Sequence, residues 1–261
     1  MGNLTPTFET YQELQTAFDF FNDALFNGEM PQCLITLQRD KRSLGYYSEE
    51  RFIAFDGKTK IDEIAMNPAY FAVLSVENTL STLVHEMVHL WQFHCGQPSR
   101  RGYHNKEWAA KMEQIGLMPS DTGQVGGKKV GQQMDHYIID QGPFIIACQK
   151  LLTNDFRLSW FDRFTAVDPV ASTQATKAAQ PDVVDGVADD VNHAELVEKY
   201  SLNDLEETVI DALSLPDTKN KSNRAKYRCP QCEAQVWGKP GLAVLCGSEA
   251  CGAARMEDVT E

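Results

Sequence analysis

"STLVHEMVHLWQFHCGQPSRRGYHNKEW", Ser81–Trp108, is the most informative segment of the chain. His85 and His89 lie four apart with Glu86 directly after the first, and His104 follows with fourteen residues between it and His89. Positions i and i+4 of an α-helix share a face, so both imidazoles can point at one ion. Glu86 sits one step around the helix, where its carboxylate can reach a water on that ion. A divalent metal lowers the pKa of bound water toward neutrality, a carboxylate takes the proton, and the hydroxide can attack a peptide carbonyl.

A catalytic zinc takes three protein ligands and keeps one position open, so a third ligand must come from elsewhere. The metzincin pattern would put Gly and His three and six residues past the second histidine; Gln92 and Cys95 stand there, which excludes it. His104, in "GYHNKEW" just before a helix, is the natural third ligand, and Glu107, one turn on, is the alternative. An accidental match to this histidine–glutamate pattern in a chain of this composition has a probability of about 1%. Among the other histidines, His94 reads as a helix-end residue and His193 as solvated. His136 is either structural or an oxyanion stabiliser, with the structural role favoured.

Outward from the motif, residues 76–94 form an amphipathic helix whose buried face is Leu80, Leu83, Val84, Met87 and Leu90, ended by Gly96. "NKEWAAKMEQIG" is a second helix, with Asn105 as N-cap, Trp108, Met112 and Ile115 as its apolar side, and Glu107 four residues before Lys111. An earlier helix, "TFETYQELQTAFDFFNDALFNG", places Tyr11, Leu14, Phe18, Phe21 and Leu25 on one face, with Gly28 where the C-terminal cap belongs. Strands are expected in "CLITLQ", "GYYS" into "RFIAFD", and "DEIAMN". Asp121 to Gly131 reads as a loop, and "HYIIDQGPFIIACQKLL" as a strand, a turn and a short apolar element.

From about Thr165 the composition changes: "TAVDPVASTQATKAAQPDVVDGVADD" has few large apolar residues and no period, and reads as a disordered acidic linker. "HAELVEKYSLNDLEETVIDAL" is at most a transient helix. Near the end, Cys229-x2-Cys232 and Cys246-x4-Cys251 are two cysteine knuckles whose four thiolates can close a tetrahedral zinc shell. They point to a zinc ribbon with "AQVWGKPGLAVL" supplying the intervening strands; Trp237 is either its core or an exposed stacking platform, with the core favoured. Its zinc is structural, since a closed sulfur shell has no position for substrate. The chain thus divides into 1–164, a linker 165–226, and a ribbon 227–261, with an α+β first domain.

The 261-residue chain is acidic, net −13, and 20 acidic against 15 basic side chains fall within residues 1–164. That balance is not the usual footprint of a nucleic-acid binder. Arg100, Arg101, Lys106, Lys111, Lys128 and Lys129 nevertheless cluster in sequence near the histidines. No apolar run is long enough for a membrane span, and "MGNLTPTFETYQELQ" has the form of neither a secretory nor a myristoylation signal. The remaining cysteines, Cys33, Cys95 and Cys148, are scattered, which fits a reducing cytoplasm better than a disulfide framework.

"LVHEMVHLWQ" followed by "GYHNKEW" resembles the SprT-like metalloprotease family, which includes the Spartan proteases of DNA–protein crosslinks; the resemblance covers about residues 8–160. It implies a zincin-like fold, His85, His89 and His104 as zinc ligands, Glu86 as the catalytic carboxylate, and endopeptidase action on DNA-associated proteins. The expectation is therefore a zinc metalloendopeptidase with one catalytic and one structural Zn2+, monomeric and cytoplasmic or nucleoid-associated. It acts on a protein substrate, with DNA engaged through the basic patch and the ribbon. Two alternatives stay open: a regulatory DNA- or protein-binding module with little turnover, and a dedicated repressor-cleaving protease. The segment "DTGQVGGKKVGQQMDHYI" has no role that the resemblance supplies.

Overall fold

A computed structural model of the protein describes residues 5–39, 43–154, 156–166 and 224–259, together with positions 209, 212 and 213. The chain divides into two compact units, Met1–Pro216 and Asp217–Glu261. The expected linker and the "HAELVEKYSLNDLEETVIDAL" segment lie outside the described residues apart from a few positions. Thr165 is fully buried and Ala166 N–H donates to the Ala69 carbonyl at 3.0 Å, so the described part of the first unit packs through residue 166. Ala225 already pairs in the C-terminal sheet.

The first unit mixes helices and small sheets. Helix α1 (Pro6–Phe26) starts with proline at its first turn, where a missing N–H costs nothing, and ends with Asn27 in a left-handed conformation (φ 56). Leu14, Phe18 and Phe21 are buried as the periodicity requires; Tyr11 is instead 41% exposed, and Phe26 takes a place in the core. Strands β1 (Leu34–Leu37), β2 (Gly45–Ile53) and β3 (Lys60–Met66) form a sheet in the order β1-β3-β2, with β1 parallel and β2 antiparallel to β3. A bulge between Ser48 and Phe52 bends the edge strand β2, and Glu50 there has φ 45.

Helix α2 (Val76–Cys95) carries the histidine pair through the middle of this unit. Ser75 caps it, accepting from Asn78 N–H, and Leu80, Leu83, Val84, Met87, Val88 and Leu90 are all buried. A helix apolar on most sides is a core helix, and α2 packs on α1, on β2 and β3, and on α3 (Lys106–Gln114) and α4 (Pro143–Leu152). Asn105 caps α3 through Trp108 N–H, as its position predicts. The Glu107–Lys111 pairing does not form. Lys111 is buried, its ammonium 4.9 Å from the Phe26 ring and 4.8 Å from Trp91, so it adds nothing to a basic surface. The "short apolar element" is the full helix α4.

Between α3 and α4 lies a hairpin, β4 (Leu117–Ser120) against β5 (Asp135–Ile138). β4 answers to no strand signal in the sequence. Gly116 makes the turn into it with φ +93, and an added Cβ would come within 2.8 Å of Phe144 N.

The C-terminal unit is a sheet of β6 (Ala225–Arg228), β7 (Gln235–Gly238) and β8 (Glu257–Asp258), in the order β7-β6-β8 and antiparallel throughout. Only β7 comes from the segment expected to supply the strands. Trp237 is not its core: the indole is 58% exposed with the Lys226 ammonium 5.8 Å from its centroid. Tyr227, Ala225, Met256 and three of the cysteines fill the interior instead. Trp237 pairs with Lys226 across the β6–β7 ladder, and strand alternation puts both on the face away from buried Ala225 and Tyr227.

Candidate metal centre and catalytic cleft

α2 presents His85 and His89 one turn apart, and the loop entering α3 brings His104 to meet them. One ring nitrogen from each lies within 4.8 Å of the others. His89 Nε2 and His104 Nε2 are 3.1 Å apart. His104 is held by a two-way backbone bridge to Gly131, and its Nδ1–H donates to the Gly131 carbonyl at 3.2 Å. That bond puts the proton on Nδ1 and leaves Nε2 bare, facing the second imidazole. Three neutral imidazoles converging in this way are a donor set suited to zinc.

Burial keeps these rings neutral. It is the largest cause depressing His85 well below its ordinary value, with the neighbouring imidazoles adding to it. The same cause takes His89 down to about 3 and lowers His104. Trp108, fully buried, lies against all three rings, with centroids 4.4 Å from His104, 5.0 Å from His85 and 5.4 Å from His89. It is the apolar floor of the centre, a role the sequence reading reduced to helix packing.

Glu86 points into the same cleft from the next position of α2 and is 6% exposed. Burial pushes its carboxyl up to about 8, against the opposing effect of the Tyr47 backbone N–H. β2 reaches it because Gly45 has no side chain: a Cβ there would sit 2.9 Å from the Ala65 carbonyl, 3.1 Å from Thr82 Cγ2 and 3.5 Å from Glu86 Cγ. The cleft, about 700 Å3, is bounded by β2 on one side and by residues 98–104 with Arg100 and Arg101 on the other.

Glu107, the alternative ligand, is engaged elsewhere. Its carboxylate accepts from Gln92 Nε2 at 2.8 Å and from Gln97 N–H at 2.7 Å, fastening the loop that delivers His104. His94 sits at the end of α2 with Nε2 2.5 Å from Asp62 Oδ2. His136 has both nitrogens in hydrogen-bond contact with protein, Nδ1 at 3.1 Å from His85 Nδ1 and Nε2 at 2.9 Å from Ser81 Oγ. Neither is left to receive an oxyanion, so the structural reading of this residue holds over the other. His193 lies outside the described residues.

The second cluster is Cys229, Cys232, Cys246 and Cys251, whose sulfurs all lie within 4.8 Å of one another. The first knuckle closes through Cys229 N–H to the Ala234 carbonyl, and the second through Cys246 N–H to the Ala254 carbonyl. Backbone N–H groups of Cys232 and Gln231 directed at the Cys229 sulfur draw its thiol down to about 7, whereas contact with the Cys232 sulfur pushes Cys251 up to about 12 and Cys246 is raised as well.

The SprT-like family model matches residues 14–127, from α1 through the turn after β4. A 59-residue stretch is 58% identical to an uncharacterized protein in the mucB 3' region of Salmonella typhimurium, covering 23% of this chain and 80% of that protein. No solved structure matches.

Proposed function

The chain belongs to the SprT-like family, and on that premise we propose that it is a zinc-dependent endopeptidase of zincin-like architecture. The observation that carries the proposal is the convergence of His85, His89 and His104 beside a buried carboxylate on the floor of an open cleft. A divalent metal held by the three imidazoles would polarise a carbonyl, acidify a water and draw the nearby Glu86 carboxyl back toward its ionised form. Glu86 then takes the proton of the attacking water and returns it to the leaving amine. The Tyr47 N–H holds that carboxylate in place. Edge strand β2 offers its rim to an extended substrate, which requires the unfolded or loop segments that such a strand can pair with. The four cysteines hold a second, structural zinc, and the second unit acts as a ribbon that engages substrate or partner.

For substrate we propose proteins associated with DNA. Exposed Arg100 and Arg101 on the cleft rim support this, with Lys106 and Lys128 nearby in sequence. Net charge −13 opposes it at long range, but at physiological salt charges beyond about 8 Å are largely screened. The same acidity favours the second reading, a dedicated protein substrate cleaved without DNA.

Glu86→Gln tests the central proposal. The amide cannot take the proton, so cleavage of a denatured protein should fall by about 10²–10⁴-fold with metal content unchanged. Unaltered cleavage by this variant would remove the mechanism.

A further inference from the structure

We infer that the β4–β5 hairpin is the orienting arm of the metal centre, and that His136 on it is a positioning residue that fixes the tautomer and aim of His85. The inference rests on the proposed three-histidine metal site. It follows from proton bookkeeping along one chain of contacts. Ser81 Oγ lies 2.9 Å from the Asn78 carbonyl, which accepts its single proton. That hydroxyl can then only accept from His136 Nε2 at 2.9 Å, so Nε2 carries the His136 proton. His136 Nδ1 is consequently bare, and at 3.1 Å it accepts from His85 Nδ1–H. The bare nitrogen of His85 is therefore Nε2, the atom left to ligate.

Asp135 does not compete for this bond. Its Oδ1 is 3.9 Å from His136 Nδ1 and takes the His136 backbone N–H at 2.7 Å. The same excursion of chain supplies Gly131, whose carbonyl fixes His104. Two of the three ligands are thus oriented by a single segment, on either side of Met134. β-pairing of His136 with Pro119 holds the ring at the cleft wall. His136 lies outside residues 14–127, the span matching the family model, so the arm is argued from this chain's own geometry.

The test measures zinc affinity in the full chain by competition with a zinc-binding chromophore. The histidine site is identified as the step lost in His89→Ala. Removing an outer-shell partner costs about 10–100-fold in metal affinity, and that loss is expected for His136→Leu. His136→Asn should stay within about threefold of wild type, because Asn Oδ1 stands where Nδ1 stood and can accept the same proton. Ser81→Ala, which removes only the far end of the chain, should give a smaller loss in the same direction. Wild-type affinity in His136→Leu overturns the inference, as does an Asn variant as weak as the Leu variant, since that outcome makes the ring a packing element. If His136→Leu fails to fold, unchanged affinity in Ser81→Ala overturns it instead. Wild-type protein that binds no zinc at the histidines also overturns it. Protein that binds zinc there but cleaves nothing removes the proposed peptidase activity and leaves this inference standing.

Discussion

His104 and Glu107 stand one helical turn apart, and only His104 turns toward His85 and His89. His104→Ala should therefore weaken metal binding at the histidine site by orders of magnitude. Glu107→Ala should leave the metal in place while loosening the loop at Gln97; elemental analysis of both purified variants checks this. The buried imidazoles also set a pH dependence for the metal-free protein. A histidine with a folded-state value depressed below 6.5 binds its proton in the unfolded chain first, so stability falls as pH drops below 6.5, by about 1.4 kcal/mol per pH unit for each such group. His85, His89, His104 and His136 act in this sense, down to about 3 for His89 and about 4 for His136. Glu86, raised to about 8, acts oppositely: between pH 8 and its ordinary value of 4.5 acidification relieves its burial. The metal-free protein should be most stable near pH 6.5, as followed by tryptophan fluorescence during denaturation; a maximum above pH 8 would contradict these environments. His85, Glu86 and His89 were legible together because they follow one another on one helix, whereas His104 stood beside Glu107 as one of two candidates that only the fold separates. Trp108 and His136 were not legible, since a core tryptophan and a distant histidine acquire their roles only when the chain folds them against the ligands.

α2 was readable because its period and its closing glycine are local signals, and α3 because its Asn105 cap and its apolar side are; Ser75, the cap of α2, shows only in the structure. β4 was not readable: "LMPS" is four residues with a proline and becomes a strand only by pairing with β5 across fourteen intervening residues. The strand of most consequence for the site is β2, which approaches α2 at Gly45. Gly45→Ala should cost about 1–3 kcal/mol, because the new methyl meets a backbone carbonyl at 2.9 Å that cannot move without moving β3. Peptide cleavage should fall with it, since Tyr47 N–H would be drawn off Glu86. Thermal denaturation and turnover of one sample measure both effects, and a wild-type melting temperature would show that the contact relaxes without cost.

For the whole molecule, the two metal clusters differ in enclosure, and that difference should appear on chelation. Four thiolates would enclose an ion in the C-terminal unit, whereas three imidazoles would leave a bound ion open to the cleft, so the histidine site should lose zinc first. The C-terminal unit has a very small core and should lose its fold when its own zinc is finally removed. Its four cysteines were legible from spacing alone. Of the two readings of Trp237 the exposed one holds, because the ladder register, which spacing does not reveal, sets it beside Lys226 on the outer face. Reversing Arg100 and Arg101 to Glu should lower DNA affinity and flatten its salt dependence, while cleavage of a free unfolded peptide changes less; equal binding by the variant would favour a dedicated protein substrate. Whether His85, His89 and His104 hold one zinc beside Glu86 is decided by anomalous diffraction at the zinc edge. A peak is expected about 2.0–2.1 Å from one nitrogen of each of the three imidazoles, with a remaining position open to the cleft. A zinc-loaded crystal with no peak there, or with Glu107 in place of His104, would contradict this arrangement.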